Sequence, residues 1–136
     1  MTSDFTLAVH CLMLLARHNE CLLTSEKIAE SASVHPVRAR KMLALLKKSG
    51  YLGSKEGTAG GFYKTFDPDK VTLDELYQLV ASGSLQPKCP KVNPDCVFGA
   101  NIEKVLYEVF SESEQHLSVF LRGFTINKLL EMAQKK

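Results

Sequence analysis

Apolar positions Phe5, Ala8, Val9, Leu12, Leu15 and Ala16 recur at the i, i+3, i+4, i+7 spacing of a helix with one hydrophobic face. Thr2 or Ser3 stands where that helix needs an N-cap. A short second helix is predicted over Ser25–Ala32, with Thr24 as cap and Glu26 in its first turn. Ser33-Val34-His35 then makes a tight turn. Pro36 occupies the first turn of a third helix that runs to about Ser49, where its missing N–H costs nothing, and Gly50 is placed to end it. Tyr51–Lys55 and Phe62–Phe66 are short and β-prone, and Gly57-Thr58-Ala59-Gly60-Gly61 joins them as a hairpin with a flexible tip. Thr72-Leu73-Asp74-Glu75 spells a capping box for a helix over about Leu73–Ala81, with Val71 and Leu76 at the staple positions.

The pattern then changes. Residues 84–100 carry three prolines and two cysteines and read as a loop. From about Asn101 to Arg122 an amphipathic helix follows, with Ile102, Val105, Leu106, Val109, Phe110, Leu117, Phe120 and Leu121 along one stripe. At the α-helical rise it extends roughly 33 Å. Gly123 breaks it, and a short terminal helix bearing Leu129, Leu130 and Met132 starts at Thr125. The expected organisation is thus residues 1–83 as one domain, 84–100 as a cysteine-containing loop, and 101–136 as a long helix with a short terminal one.

Helix, short helix, tight turn, basic helix and glycine-tipped hairpin is the order of a winged helix-turn-helix, a mainly α (α+β) fold with a two-stranded wing. In that design the third helix lies in the DNA major groove. Ala39, Met42, Leu43 and Leu46 supply the buried stripe that would hold it rigid, and the helical period puts Val37, Arg40, Lys41, Ala44 and Lys48 on the opposite side. The first-turn members His35, Pro36, Val37, Arg40 and Lys41 are best placed to reach base edges. Thr24, Ser25, Lys47, Lys48, Lys55 and Lys64 read as phosphate contacts, which add affinity without sequence information. Gly60 and Gly61 complete the candidate surface at the wing. Element order alone leaves open a winged helix that binds another protein.

Charge sharpens the picture. The whole chain carries a net +2. Between Val34 and Lys64 seven cations face only Glu56, so that segment is +6 and the remainder −4. Basic charge gathered on one unit of an otherwise acidic chain is the footprint of a polyanion partner, or else a solvated lysine-rich face. Composition is that of a globular protein, with 45% hydrophobic and 24% charged residues. The apolar run at Phe5–Ala16 is too short for a bilayer and lacks the pattern of a signal peptide, so the cytoplasm is expected and no membrane partner.

These residues resemble the Rrf2 family of bacterial winged-helix transcription regulators, the IscR-, NsrR- and CymR-like proteins, and within it the cysteine-poor branch. The resemblance runs through Phe5–Ala16, Lys27-Ile28-Ala29, the Met42–Leu46 stripe, Lys48-Ser49-Gly50-Tyr51-Leu52-Gly53-Ser54, Gly57-Thr58-Ala59-Gly60-Gly61-Phe62 and Val71-Thr72-Leu73-Asp74-Glu75-Leu76. It implies a DNA-binding regulator, a repressor by expectation, that acts on a palindromic operator as a homodimer. The dimer would be built on the long helix through Ile102, Val105, Leu106, Val109, Phe110, Leu117 and Phe120. Two positions depart from cluster-binding relatives. After Cys89 and Cys96 the next expected thiolate falls near Ile102, so the iron–sulfur ligand set is incomplete and no cofactor is expected. Glu56 stands in the wing where those relatives place an arginine.

The remaining chemistry is sparse. Cys89 and Cys96 flank a proline-rich loop and are candidates for a reversible redox pair, which defines the alternative reading: a thiol-based redox or ligand sensor acting through a protein partner. Zinc would need two further ligands, and no metal site is expected. Cys11 reads as a small buried hydrophobe. His10, His18 and His116 are scattered on helices. No nucleophile–base pair or phosphate-binding loop is present, so no enzyme is expected, and no residue identifies a small-molecule effector.

Overall fold

The computed structural model describes residues 1–91 and 93–136. Among these the chain forms six helices and one hairpin: α1 (Ser3–Arg17), α2 (Ser25–Ala32), α3 (Pro36–Lys48), β1 (Leu52–Lys55), β2 (Gly61–Lys64), α4 (Leu73–Val80), α5 (Val97–Leu121) and α6 (Ile126–Gln134). This is the winged helix-turn-helix order followed by a long helix. The expected loop 84–100 includes residue 92, which lies outside the described residues. Among the described residues no helix is long and apolar enough to cross a membrane.

The core gathers around α1. Its Leu7, Ala8, Cys11, Leu12 and Leu15 pack with Ile28 of α2, Met42, Leu43 and Leu46 of α3, and with Leu52, Phe66 and Leu76. Each fully buried leucine or isoleucine contributes roughly 1.5–3 kcal/mol relative to exposure. Helix starts follow their caps. Thr24 Oγ1 accepts the Lys27 N–H at 3.2 Å. Thr72 Oγ1 accepts from Glu75 N while Glu75 Oε2 accepts from Thr72 N, closing the capping box. The start of α1 differs: Thr2 holds the N-cap position without a side-chain bond. Ser3 lies inside the helix, its hydroxyl taken by Arg38 Nη2 at 2.5 Å.

Two features lie beyond the periodicity. Leu23 forms an isolated bridge with Phe62 through paired bonds of 3.1 and 2.8 Å, which clamps the base of the wing to the chain ahead of α2. α6 is no appendage. Ile126 is fully buried in the main core, with Leu129 and Leu130 packed against it, and its N–H donates to Val71 O at 3.0 Å. The terminal stretch therefore returns to the winged-helix body and completes it.

α5 starts at Val97 rather than near Asn101. The reason is a cap the pattern does not reveal: Cys96 Sγ accepts the Gly99 N–H at 3.3 Å. Val97 and Phe98 are 75% and 85% exposed, so they add no buried period to announce the first turn.

α5 meets the body at α4. Phe5, Tyr77 and Ala81 form a second small core, with the two rings edge-to-face at 6.0 Å, and Leu117 and Leu121 pack on it. Glu114 accepts from Tyr77 Oη at 2.8 Å and from Leu85 N at 3.0 Å. Burial and the facing Glu114 push the Tyr77 hydroxyl up to about 12, so it stays a donor. Asp74, only 8% exposed, accepts from Gln78 Nε2 at 3.2 Å and from Arg122 Nε at 3.4 Å. Burial works against its charge, but bonds from Ser118, Gln78 and Arg122 outweigh it and hold the carboxyl below its ordinary value.

A depressed carboxyl pKa stabilises the fold fully above the unfolded-chain value of about 3.9 and loses that contribution as pH falls through the lower folded value. Asp74→Asn should therefore be less stable than the parent at neutral pH, with the gap closing below about pH 4. Urea midpoints measured across that range check it; a constant gap would remove Asp74 from the account.

Candidate nucleic-acid interface

α3 is held by its buried stripe. Ala39, Leu43 and Leu46 are inaccessible and Met42 nearly so. On the other side Val37, Arg40, Lys41, Ala44 and Lys48 are exposed, which is the face the helical period assigned to the groove, and Lys47 is exposed beside it. Val37 is 45% exposed, an apolar side chain offered to solvent one residue into the helix. His35 is the N-cap, its Nδ1 accepting the Val37 N–H at 3.1 Å, and Pro36 follows at the first helical position. The imidazole is thereby fixed with Nε2 as its free atom. The turn before it is kept short by Ser33 in the left-handed conformation, φ 54°, its N–H bonded back to Ala29 and Glu30.

The cations of the basic segment are not equivalent. Arg38 is turned back onto α1, bonding Asp4 Oδ1 at 2.8 and 3.2 Å as well as Ser3. Its charge is spent on fixing α3 against the start of α1. The sequence count gave no sign of this, because the two residues lie 34 positions apart. Arg40 Nη1 lies 4.0 Å from Glu26 Oε1 across the helix pair. Lys47 Nζ donates to Ser54 Oγ at 2.6 Å and ties α3 to β1. Lys41 and Lys48 stand exposed on the outer face of the helix.

Of the remaining candidates, Thr24 is half-buried and spends its hydroxyl on the cap of α2. Ser25 is buried and its hydroxyl donates to Glu26 at 3.3 Å, so what it presents to a phosphate is the start of the helix rather than its side chain. Lys55 and Glu56 are exposed at the end of β1, and Lys64 is half-buried opposite Leu52. The wing is shaped by glycine. A Cβ on Gly60 would run into the Lys55 carbonyl oxygen, and one on Gly61 would lie 2.8 Å from Leu23 O. Tyr63, 42% exposed, lays its ring over Gly53, where a Cβ would meet it at 2.6 Å.

Away from this surface, Cys89 is half-buried and Cys96 exposed at the α5 cap. Cys11 is buried, and burial pushes its thiol up to about 12, an inert packing residue. The seven long-helix candidates divide. Ile102, Val105, Val109 and Phe120 are exposed, whereas Leu106, Phe110 and Leu117 are half-buried.

A family model described as Rrf2, iron-dependent transcriptional regulator, matches residues 1–132. The chain belongs to the Rrf2 family. Its relatives bear this out. A candidate HTH-type transcriptional regulator of Bacillus subtilis, YwnA, is 33% identical over 116 residues, 85% of each chain. The crystal structure of a candidate transcriptional regulator from Lactobacillus plantarum superposes with a TM-score of 0.84 at 26% identity, covering 98% of this chain and 91% of that one. T. potens IscR, at 19% identity and a TM-score of 0.73 over 98% of this chain and 87% of its own, shares the fold. The protein is a winged-helix transcriptional regulator and not an enzyme.

The family description names iron, which a protein holds through thiolate, imidazole or carboxylate donors. Among the described residues no group of three or more His, Cys, Asp or Glu is gathered to hold a metal ion. Beyond Cys89 and Cys96 the next expected ligand position is the hydrocarbon of Ile102. These residues do not fit a cluster held by four protein ligands.

Gly60→Ala should open the wing while sparing the body. Amide exchange would rise at Gly61–Lys64 and stay slow across α1 and α3. Gly57→Ala, with open space at its Cβ and only φ +106° against it, should cost roughly 1–2 kcal/mol and leave the hairpin formed.

Proposed function

We propose that the protein binds double-stranded DNA as a homodimer and represses transcription from an approximately palindromic operator, in the cytoplasm and without an iron–sulfur cluster. The observation that carries this reading is the face of α3. Val37, Arg40 and Lys41 project from its first turns, backed by the buried stripe, and all three are exposed among the described residues. An arginine there can bond guanine O6 and N7 in bidentate fashion, and a valine can meet a thymine methyl. Lys48, Lys55 and Lys64 contribute charge toward the phosphates on either side, and the Gly60-Gly61 turn allows close approach of the wing.

The dimer rests on α5. It is 25 residues long with no buried residue, and Ile102, Val105, Val109 and Phe120 are all more than two-fifths exposed. Such a row on one helix is what a second copy would cover, and a two-fold pair of recognition helices would then read a two-fold site. The thiol-sensor reading keeps one support, the exposed Cys96 at the helix start with Cys89 seven positions before it.

Gel-shift titration against the DNA upstream of its own gene tests the DNA reading. Arg40→Ala should lose about 1–3 kcal/mol on the preferred site and relax base preference there. Lys48→Ala should weaken all duplexes alike and lower the salt slope by about one. Unchanged affinity in an Arg40→Ala, Lys41→Ala double variant would reject the assigned face. An oxidant-dependent partner with no duplex bound under any condition would favour the sensor instead. For the assembly, Val105→Glu with Val109→Glu should give a folded monomer by sedimentation and lose cooperative operator binding. A parent chain that sediments as a monomer would defeat the dimer.

A further inference from the structure

Beside the apolar contact between α4 and α5 the two helices part and leave a cleft of about 570 Å³. Packed helices ordinarily fill such a seam with leucine. Here the facing positions are Gln78 on α4 and Ser111 and Gln115 on α5, with Asp74 and Arg122 toward one end and Glu114 along the wall. The cleft opens to solvent, Tyr107 and Val119 stand beside these polar groups, and the volume is many times the roughly 30 Å³ share of one water, room for a small molecule. We propose that this cleft is a binding site for a small hydrophilic zwitterion of the amino-acid class, a molecule with an ammonium and a carboxylate on a short frame.

The charges select that class. Asp74 and Glu114 give the cleft two carboxylates, and Arg122 gives it one guanidinium. A lone anion meets the carboxylates, a lone cation meets Arg122, and an apolar molecule meets amides and hydroxyls. A ligand bearing both signs satisfies both. Arg122 has capacity to spare: Nε is on Asp74 and Nη2 on Ser118, both at 3.4 Å, and its side chain is 65% exposed. A guanidinium has five N–H donors, so donors remain for a ligand carboxylate. Asp74 is the complementary pole, an almost buried carboxylate whose present partners, Ser118, Gln78 and Arg122, all line the cleft. An occupant would bridge α4, which belongs to the winged-helix body, and α5, which leaves it. Binding there would therefore alter how the long helix is held.

The test needs no DNA, so its failure leaves the operator reading standing and the reverse is equally true. The full chain, labelled with nitrogen-15, is titrated with each of the proteinogenic L-amino acids at millimolar concentration. At least one should move the amides of Gln78, Ser111, Gln115 and Ser118 saturably. Its decarboxylated amine and its deaminated acid should each bind at least tenfold more weakly. Ser111→Leu, which fills the cleft, should abolish the shifts, and Arg122→Gln should weaken binding about tenfold or more, the loss of a charge-assisted bond. Both variants are checked for a native spectrum first. No saturable shift in the cleft with any of these probes overturns the proposal. So does equal binding of the two half-charged analogues, or binding that survives Ser111→Leu.

Discussion

The burial of Ala39, Met42, Leu43 and Leu46 against α1 is the contact on which the rest of this molecule depends. A helix is a rigid screw, so fixing one side fixes the other. Once that stripe faces inward, Val37, Arg40, Lys41, Ala44 and Lys48 must face outward. Truncating any one large member of such a stripe ordinarily costs about 2–5 kcal/mol, a large part of a small domain's stability. Turning α3 by one residue, about 100°, would expose Leu43 and bury Lys41 in one sense, or expose Met42 and bury Arg40 in the other. The direction of the basic face is therefore set by hydrocarbon, and the charges only decorate a rod whose rotation is already decided.

The same contact explains why seven cations do not act alike. Exposed ion pairs are worth little to stability, about 0–1 kcal/mol, so the Arg38–Asp4 and Arg40–Glu26 pairs are not what holds α3 in place. Their effect is on geometry and on field. Arg38 is bonded twice to Asp4 and once to Ser3, which removes its charge from the outer face and pins the first turn of α3 to the first turn of α1. Arg40 is close enough to Glu26 to be partly neutralised until something more anionic competes for it. The charge without a carboxylate partner, on Lys41, Lys47, Lys48, Lys55 and Lys64, is open to salt screening over about 10 Å. Net charge counted along the segment thus overstates what a duplex would meet.

What could be read from the chain was whatever is local. The periodic stripe of α1, the Thr24 cap, proline at the start of α3, and the Thr72–Glu75 capping box all depend on residues within a turn or two of one another, and they set elements close to where the structure has them. The exposed face of α3 was visible for the same reason, since period alone fixes it. Long-range pairs were not. The Leu23–Phe62 bridge that braces the wing, the Arg38–Asp4 latch and the Asp74–Arg122 bond join positions with no local signature. The early start of α5 escaped notice because its cap is a cysteine, a poor predictor of caps, and because Val97 and Phe98 are largely exposed. For α6 the few apolar residues say that a face is buried but not against what.

α5 shows how a single stripe in sequence can serve two neighbours. Placed at 100° per residue, Leu106, Phe110, Leu117 and Leu121 centre on one direction, and Ile102, Val105, Val109 and Phe120 centre about 90° away. The first group is half-buried, with Leu117 and Leu121 seated on Phe5, Tyr77 and Ala81. The second group is exposed. A surface helix packed on one body needs an apolar arc of about 100°, and an arc this much wider is the pattern of a helix held between two. In the proposed dimer each α5 would lie against its own α4 on one side and the second copy on the other. The polar side of the α4–α5 contact, with Asp74, Glu114 and Arg122, is then a part of that junction not committed to hydrocarbon packing. A helix clamped between two apolar contacts can still tilt about the wetter edge of one of them, which is where a change of charge or of occupancy would have most leverage on the spacing of two recognition helices.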